Sequence, residues 1–148
     1  MKNIIIINGP NLNMLGKREV DIYGKKSLND IIAECESVSE NLKLKLNFHQ
    51  SNSESEIINI IQTANEFDGL IINAGGYTHT SVAIHDALKI LKIPKIEVHI
   101  SNIYKREGFR KNSFISNVVN GIIAGFGTDV YKIAIQSINY LLNNDKDR

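Results

Sequence analysis

The chain is 148 residues long, 43% hydrophobic and 22% charged, which fits one folded domain and excludes wholesale disorder or two full domains. Its 17 basic and 16 acidic side chains leave a formal charge of +1, which argues against general attraction to nucleic acid or an anionic membrane. A lone cysteine, Cys35, cannot form an internal disulfide, and the opening apolar run Ile4 to Ile7 is too short for a signal peptide or a membrane span.

The expectation is therefore one cytoplasmic domain over 1–148, with residues 143–148 as a frayed tail. No internal repeat or low-complexity tract divides it. Residues 3–8 (NIIIIN) are a continuous β-branched run ended by Gly9-Pro10, the pattern of a strand buried on both faces. From Ser27 to Leu42 the apolar positions Leu28, Ile31, Ile32, Cys35, Val38 and Leu42 recur at three and four, one face of a helix. That face places Cys35 in the core. Ser27 with Asp30 resembles a capping box, with Asp in place of the usual Glu. Leu44, Leu46 and Phe48 alternate with Lys45, Asn47 and His49, which predicts a strand near the sheet edge. Ser53 and Glu56 are a capping signal ahead of Ile57, Ile58, Ile60, Ile61 and Ala64, a second helix. Residues 69–73 (GLIIN) read as a third strand, residues 81–91 as a third helix, and residues 95–100 (KIEVHI) as a fourth strand. A polar, basic loop covers 101–112. Residues 121–127 (GIIAGFG) are a candidate fifth strand, and the last helix runs from about Thr128 toward Leu142.

Strands that alternate with helices over short connections imply a parallel sheet covered on both faces. Right-handed crossovers and this element count favour a flavodoxin-like doubly wound sheet ordered 2-1-3-4-5. Ligands in such folds sit outside the carboxyl ends of the strands. Asn8 and Asn11, Asn73, and Glu97, His99 and Ser101 stand at those ends and are expected to converge on one cleft.

Four segments could carry chemistry there. The first loop, Asn8 to Gly24, is long enough to be functional and holds Arg18 and Tyr23. A tyrosine ionises near pH 10, so service as a base near neutrality needs about 4 kcal/mol of preferential phenolate stabilisation. An arginine, always charged, supplies part of that. Spacing alone reads the pair as a solvated arginine and a packed surface tyrosine. The second segment, NAGGYTHTS (residues 73–81), offers glycines for close backbone approach, a helix start, and His79 in the turn between. That histidine reads equally as solvated or as a donor to a substrate oxygen. In IEVHISN (residues 96–102), period two puts Glu97, His99 and Ser101 on one side of an interior strand, where a wet face would be unusual. Glu97 can orient His99, a candidate general acid. In YKREGFRKNS (residues 104–113), one arginine is expected to reach an anionic substrate and the rest to be solvated, with Phe109 as an apolar anchor under a mobile lid.

Other chemistries lack their residues. His49, His79, His85 and His99 show no metal-ligand spacing with cysteine. No GxGxxG follows the first strand and no GxxxxGK[ST] occurs. A flavin carrier expects a Ser/Thr-rich phosphate loop where this chain has NGPNLN, whose Pro10 even removes a donor. A phosphoacceptor domain needs an aspartate ending the third strand, where Asn73 stands.

The combination NGPNLNMLGKRE then YG, QSNSE, NAGGYTHTSVAIHDAL, IEVHISN, REGFRKNS and GIIAGFG closely resembles the type II 3-dehydroquinate dehydratases, in order and spacing, over nearly the whole chain. The resemblance implies cofactor-free, metal-free, reversible loss of water from 3-dehydroquinate to give 3-dehydroshikimate, in aromatic amino acid biosynthesis or alternatively in quinate breakdown. It implies a homododecamer built as a tetramer of trimers. By resemblance Tyr23 is the general base, Arg18 the group that activates it, His99 the general acid and Glu97 its support. Asn11 resembles the residue that holds a water facing the enolate. Asn73, His79 and Arg110 resemble substrate hydroxyl contacts, the amides of Ile100 and Ser101 a carboxylate cradle, and Asp86 a residue that reaches a neighbouring subunit's site. Two positions depart from the family pattern: Gly108 stands where an acidic residue is common, and His85 where an arginine is common.

Overall fold

Four isoleucines, Ile4 to Ile7, fill the middle of the first strand, β1 (Lys2–Asn8), and each is at most 1% exposed. In the computed structural model, which describes residues 1–17 and 19–144, alternate members of this run feed two separate cores. Ile4 and Ile6 pack with Ile31, Cys35, Ala134, Ile135 and Ile138 on one face. Ile5 and Ile7 pack with Ile57, Ile61, Ile84 and Leu88 on the other. A strand loaded this way cannot lie at an edge without exposing apolar surface, since each buried isoleucine contributes about 1.5–3 kcal/mol. It is accordingly interior. Strand β2 (Leu44–Gln50) lies on one side of it, and β3 (Gly69–Asn73), β4 (Lys95–His99) and β5 (Gly121–Ala124) follow on the other, giving the order β2-β1-β3-β4-β5. Every pairing is parallel. This is the doubly wound, flavodoxin-like sheet that the alternation of strands and helices predicts.

The helices are α1 (Val20–Tyr23), α2 (Leu28–Leu42), α3 (Glu54–Gln62), α4 (Val82–Ile90) and α5 (Val130–Asn143). Helices α2 and α5 cover one face, and α3 and α4 the other. Their starts follow the cap residues. The Ser27 hydroxyl accepts from Asp30 N while the Asp30 carboxylate accepts from Ser27 N, a complete capping box. Ser53 accepts from Glu56 N, and Ser81 accepts from Ile84 N. Such caps are worth about 1 kcal/mol each.

Three boundaries differ from expectation. Strand β5 stops at Ala124 because Gly125 and Gly127 take φ of 93° and 64°, left-handed values that end an extended strand. A short 3₁₀ turn, Gly127–Asp129, then precedes α5. Tyr23 lies not on an open loop but on the last residue of one-turn α1. Of the expected frayed tail, Asn143 ends α5 and Asn144 Nδ2 donates to Tyr140 O at 2.9 Å. Residues 145–148 lie outside the described residues.

Candidate active site

Register decides what meets at the carboxyl edge of the sheet. Asn8 of β1 is level with both Gln50 of β2 and Asn73 of β3. The turns that follow β1 and β3 pack backbone against backbone. Gly9 N donates to Asn73 O at 2.7 Å, and a Cβ on Gly9 would lie 2.3 Å from Ala74 O. Opposite it, Gly75 has φ of 60° and would bring a Cβ within 2.9 Å of Pro10 O. Only glycine permits both approaches. Gln50 Nε2 then donates to Gly9 O, and Asn52 Oδ1 accepts from Asn11 N, so the segment after β2 pins the first loop.

A pocket opens above these turns. Asn11, Tyr23, Asn73, His79, His99, Ile100, Ser101 and Arg110 all line it. Eight of the residues singled out from the sequence are thus brought together. Glu97 stands one layer deeper, fully buried behind His99. Asp86 does not line this pocket: it projects from α4, 69% exposed, with His85 Nδ1 at 3.0 Å from its Oδ1. Arg18 lies outside the described residues.

The imidazole side of the pocket is built from below. His99 Nε2 is 2.5 Å from Glu97 Oε2. The hydroxyls of Ser113 and Ser116 donate to the two Glu97 oxygens at 3.0 and 2.5 Å. Burial pushes the Glu97 carboxyl up, but the His99 bond and charge together with both serine hydroxyls outweigh it and hold Glu97 below the usual carboxylate range. An ionised carboxylate only accepts, so Nε2 carries the proton of that bond and Nδ1 is the remaining ring nitrogen of His99. His79 stacks beside it, ring centroids 6.4 Å apart. His79 Nδ1 lies 2.7 Å from Asn112 O. A carbonyl only accepts, so Nδ1 bears the proton and Nε2 of the neutral ring is an acceptor. Burial, helped by nearby His99 and Arg110, lowers His79 from its ordinary value against the pull of the Asn112 carbonyl.

Across the pocket, Arg106 Nη1 donates to the Tyr23 hydroxyl at 2.6 Å, and its guanidinium sits 5.4 Å from the ring centroid. Sequence reasoning passed over Arg106. It lies in a run where four of the seven residues 105–111 are basic, and nothing in the run distinguishes the one that turns inward. The side chain is only 14% exposed, so it is not among the solvated members of that run. Phe109 corrects a further expectation. It is not an anchor under the lid but 60% exposed, edge-on to His79 and beneath the Arg110 guanidinium. Ser113 and Ser116 were also missed, because small hydroxyl residues after a polar loop carry no periodic signal. Among the described residues, no three His, Cys, Asp or Glu side chains gather so as to hold a metal ion.

A phenol and an imidazole that converge on one cleft at the sheet's carboxyl edge define an α/β enzyme equipped for proton transfer. Comparison with known proteins narrows that class. Residues 2–139 match the model of the family described as Dehydroquinase class II. The chain is 54% identical over 136 residues to a 3-dehydroquinate dehydratase of Hydrogenovibrio crunogenus, covering 91% of this chain and 94% of that one. Type II dehydroquinase structures from Butyrivibrio crossotus and Propionibacterium acnes superpose with TM-scores of 0.91 and identities of 44% and 39%. They cover 93% and 95% of this chain, and 97% of each of theirs. The chain belongs to the class II dehydroquinase family.

Proposed function

We propose that this protein reversibly dehydrates 3-dehydroquinate to 3-dehydroshikimate and serves aromatic amino acid biosynthesis in the cytoplasm. The observation that carries the reading is the Tyr23 hydroxyl held by Arg106 at 2.6 Å, in the same pocket as the Glu97-backed His99. The substrate is a hydroxy ketone whose carbonyl acidifies the neighbouring C–H. Tyr23 takes that proton through its phenolate oxygen. Arg106, permanently charged, meets the negative charge on that oxygen, and Arg18 is assigned the same task. Removal of the proton leaves an enolate. A water held by Asn11 faces the enolate oxygen, and one well-placed donor there is worth about 3 kcal/mol. His99 then protonates the departing hydroxyl so that it leaves as water, and Glu97 stabilises the charge on the ring.

Asn73, His79 and Arg110 bind the substrate hydroxyls. Nε2 of His79 suits that role, because the Asn112 carbonyl has already fixed its proton on Nδ1. The amides of Ile100 and Ser101, where the chain turns away after β4, take the substrate carboxylate. Asp86, exposed on α4, reaches the site of a neighbouring subunit within a homododecamer arranged as a tetramer of trimers.

The direct test is addition of 3-dehydroquinate with the conjugated enone product followed by its ultraviolet absorbance. Turnover without any added cofactor is the expected result, and its absence in folded protein overturns the reading. Tyr23→Phe is expected to retain substrate binding and lose turnover by at least about a hundredfold. Light scattering on the eluting oligomer checks the assembly independently.

A further inference from the structure

Tyr131 is a fully buried residue of α5, outside every segment that suggested chemistry. Its hydroxyl donates to Asn8 Oδ1 at 2.5 Å and accepts from Asn73 Nδ2 at 3.0 Å. Asn8 Nδ2 donates to His49 O at 3.3 Å, and Asn73 Oδ1 accepts from Gly75 N at 3.2 Å. We infer that Tyr131 is a positioning residue that locks the Asn73 carboxamide in the orientation it presents to the pocket.

The direction of every proton in this chain is forced. Gly75 N can only donate, so the Asn73 oxygen faces it and the Asn73 nitrogen faces Tyr131. The phenol oxygen therefore accepts, and its proton has to go to Asn8. The carbonyl of His49 can only accept, so the Asn8 nitrogen points there and its oxygen meets the phenol. Five groups thus form a one-way relay, anchored at each end on a backbone atom of fixed polarity. Burial raises the Tyr131 phenol far from its ordinary value, so it remains a donor under all working conditions. Asn73 keeps one proton on Nδ2 and one lone pair on Oδ1 for a ligand. A carboxamide that flipped would exchange donor for acceptor at that point and give up its bonds to both Gly75 N and Tyr131. The same phenol links β1, β3 and α5 beneath the pocket floor.

The inference rests on the reading of Asn73 as a substrate contact, and the test separates the two. In the substrate-free wild-type protein, NMR should show a slowly exchanging Tyr131 hydroxyl proton with cross-peaks to the Asn73 side-chain amide. Tyr131→Phe keeps the ring and its packing. It should broaden the Asn73 amide signals and raise KM for 3-dehydroquinate about tenfold, the loss of roughly one hydrogen bond, with a smaller change in kcat. In an Asn73→Ala background the same substitution should leave KM unchanged within about twofold. A merely structural role would lower thermal stability alike in both backgrounds and move KM in neither. Absence of the wild-type hydroxyl signal, unchanged Asn73 signals in Tyr131→Phe, or an equal KM effect without Asn73 each overturns the inference. If the wild-type protein does not turn over 3-dehydroquinate, the proposed function falls while the amide signals still decide on Tyr131.

Discussion

The Glu97 carboxylate is the buried charge on which the imidazole side of the site depends, and after His99 itself two serine hydroxyls help to keep it charged. Ser116 Oγ, 2.5 Å from Oε1, is the shorter of the two serine contacts. A hydrogen bond to an ionised group contributes about 1.5–3 kcal/mol, and losing it in a buried place strands the acceptor. Ser116→Ala removes a donor that favours the charged form, so the carboxyl moves back up toward its ordinary range. The acid limb of kcat/KM against pH should then shift to higher pH, and kcat should fall about tenfold at neutrality. A profile superimposable on the wild type would show that Ser116 only tidies the turn it occupies. Ser113 makes the weaker test, because its oxygen also accepts from Ile115 N and Ser116 N, each at 3.1 Å, and its loss would disturb the backbone as well.

Strand β1 and its two successor turns carry the geometry that everything else uses. Gly9 sits where a Cβ would lie 2.3 Å from the Ala74 carbonyl oxygen, backbone against backbone, with no flexible side chain able to give way. Gly9→Ala should destabilise the fold by about 1–3 kcal/mol and separate the turns after β1 and β3, so activity should fall more steeply than stability. A fully active variant with an unaltered unfolding midpoint would show that these turns need not touch. Elements such as these announce themselves in sequence because burial on both faces demands a continuous β-branched run, as in Ile4 to Ile7, and because caps such as Ser27 and Asp30 sit at fixed offsets. Asn73, His79 and His99 stand out for a related reason: they follow or end strands whose carboxyl edge is where this topology binds ligands. Arg106 and Tyr131 do not stand out. Arg106 is one cation in a basic run, selected by how the loop turns. Tyr131 falls on the apolar face of an amphipathic helix, where an aromatic residue reads as packing, and its hydroxyl finds Asn8 and Asn73 only after residues 123 and 58 positions apart are brought together.

Taken as a whole, the molecule sets two of its acid-sensitive groups, His79 and Glu97, beneath one loop. The His79 ring is held by Asn112 O and the Glu97 carboxylate by Ser113, so both anchor the same end of the segment that carries Arg106 and Arg110. His79 is lowered from 6.5 by burial first, so its neutral form is favoured in the fold. That contribution is fully present above pH 6.5, the unfolded value, and is lost as pH falls through the lowered one. Glu97 is lowered from 4.5, so its contribution is present above pH 4.5 and is lost as pH falls through its folded value. Half-buried Lys132, raised from 10.5 by Asp129 and Glu34, acts only at the opposite, alkaline end. Stability should therefore decline on acidification, beginning below pH 6.5 and more steeply below pH 4.5, and the loop that carries Arg106 and Arg110 should loosen as Glu97 is protonated. Urea unfolding from neutral pH to about pH 3 measures this, with Glu97→Gln beside the wild type. The variant is expected to be less stable at neutral pH, having lost a charged acceptor for three donors. Its deficit should shrink below pH 4.5, where the wild-type carboxylate also becomes neutral. A deficit that stays constant through that range would mean that the buried carboxyl gains nothing from its charge, and that the serines and His99 hold it by shape alone.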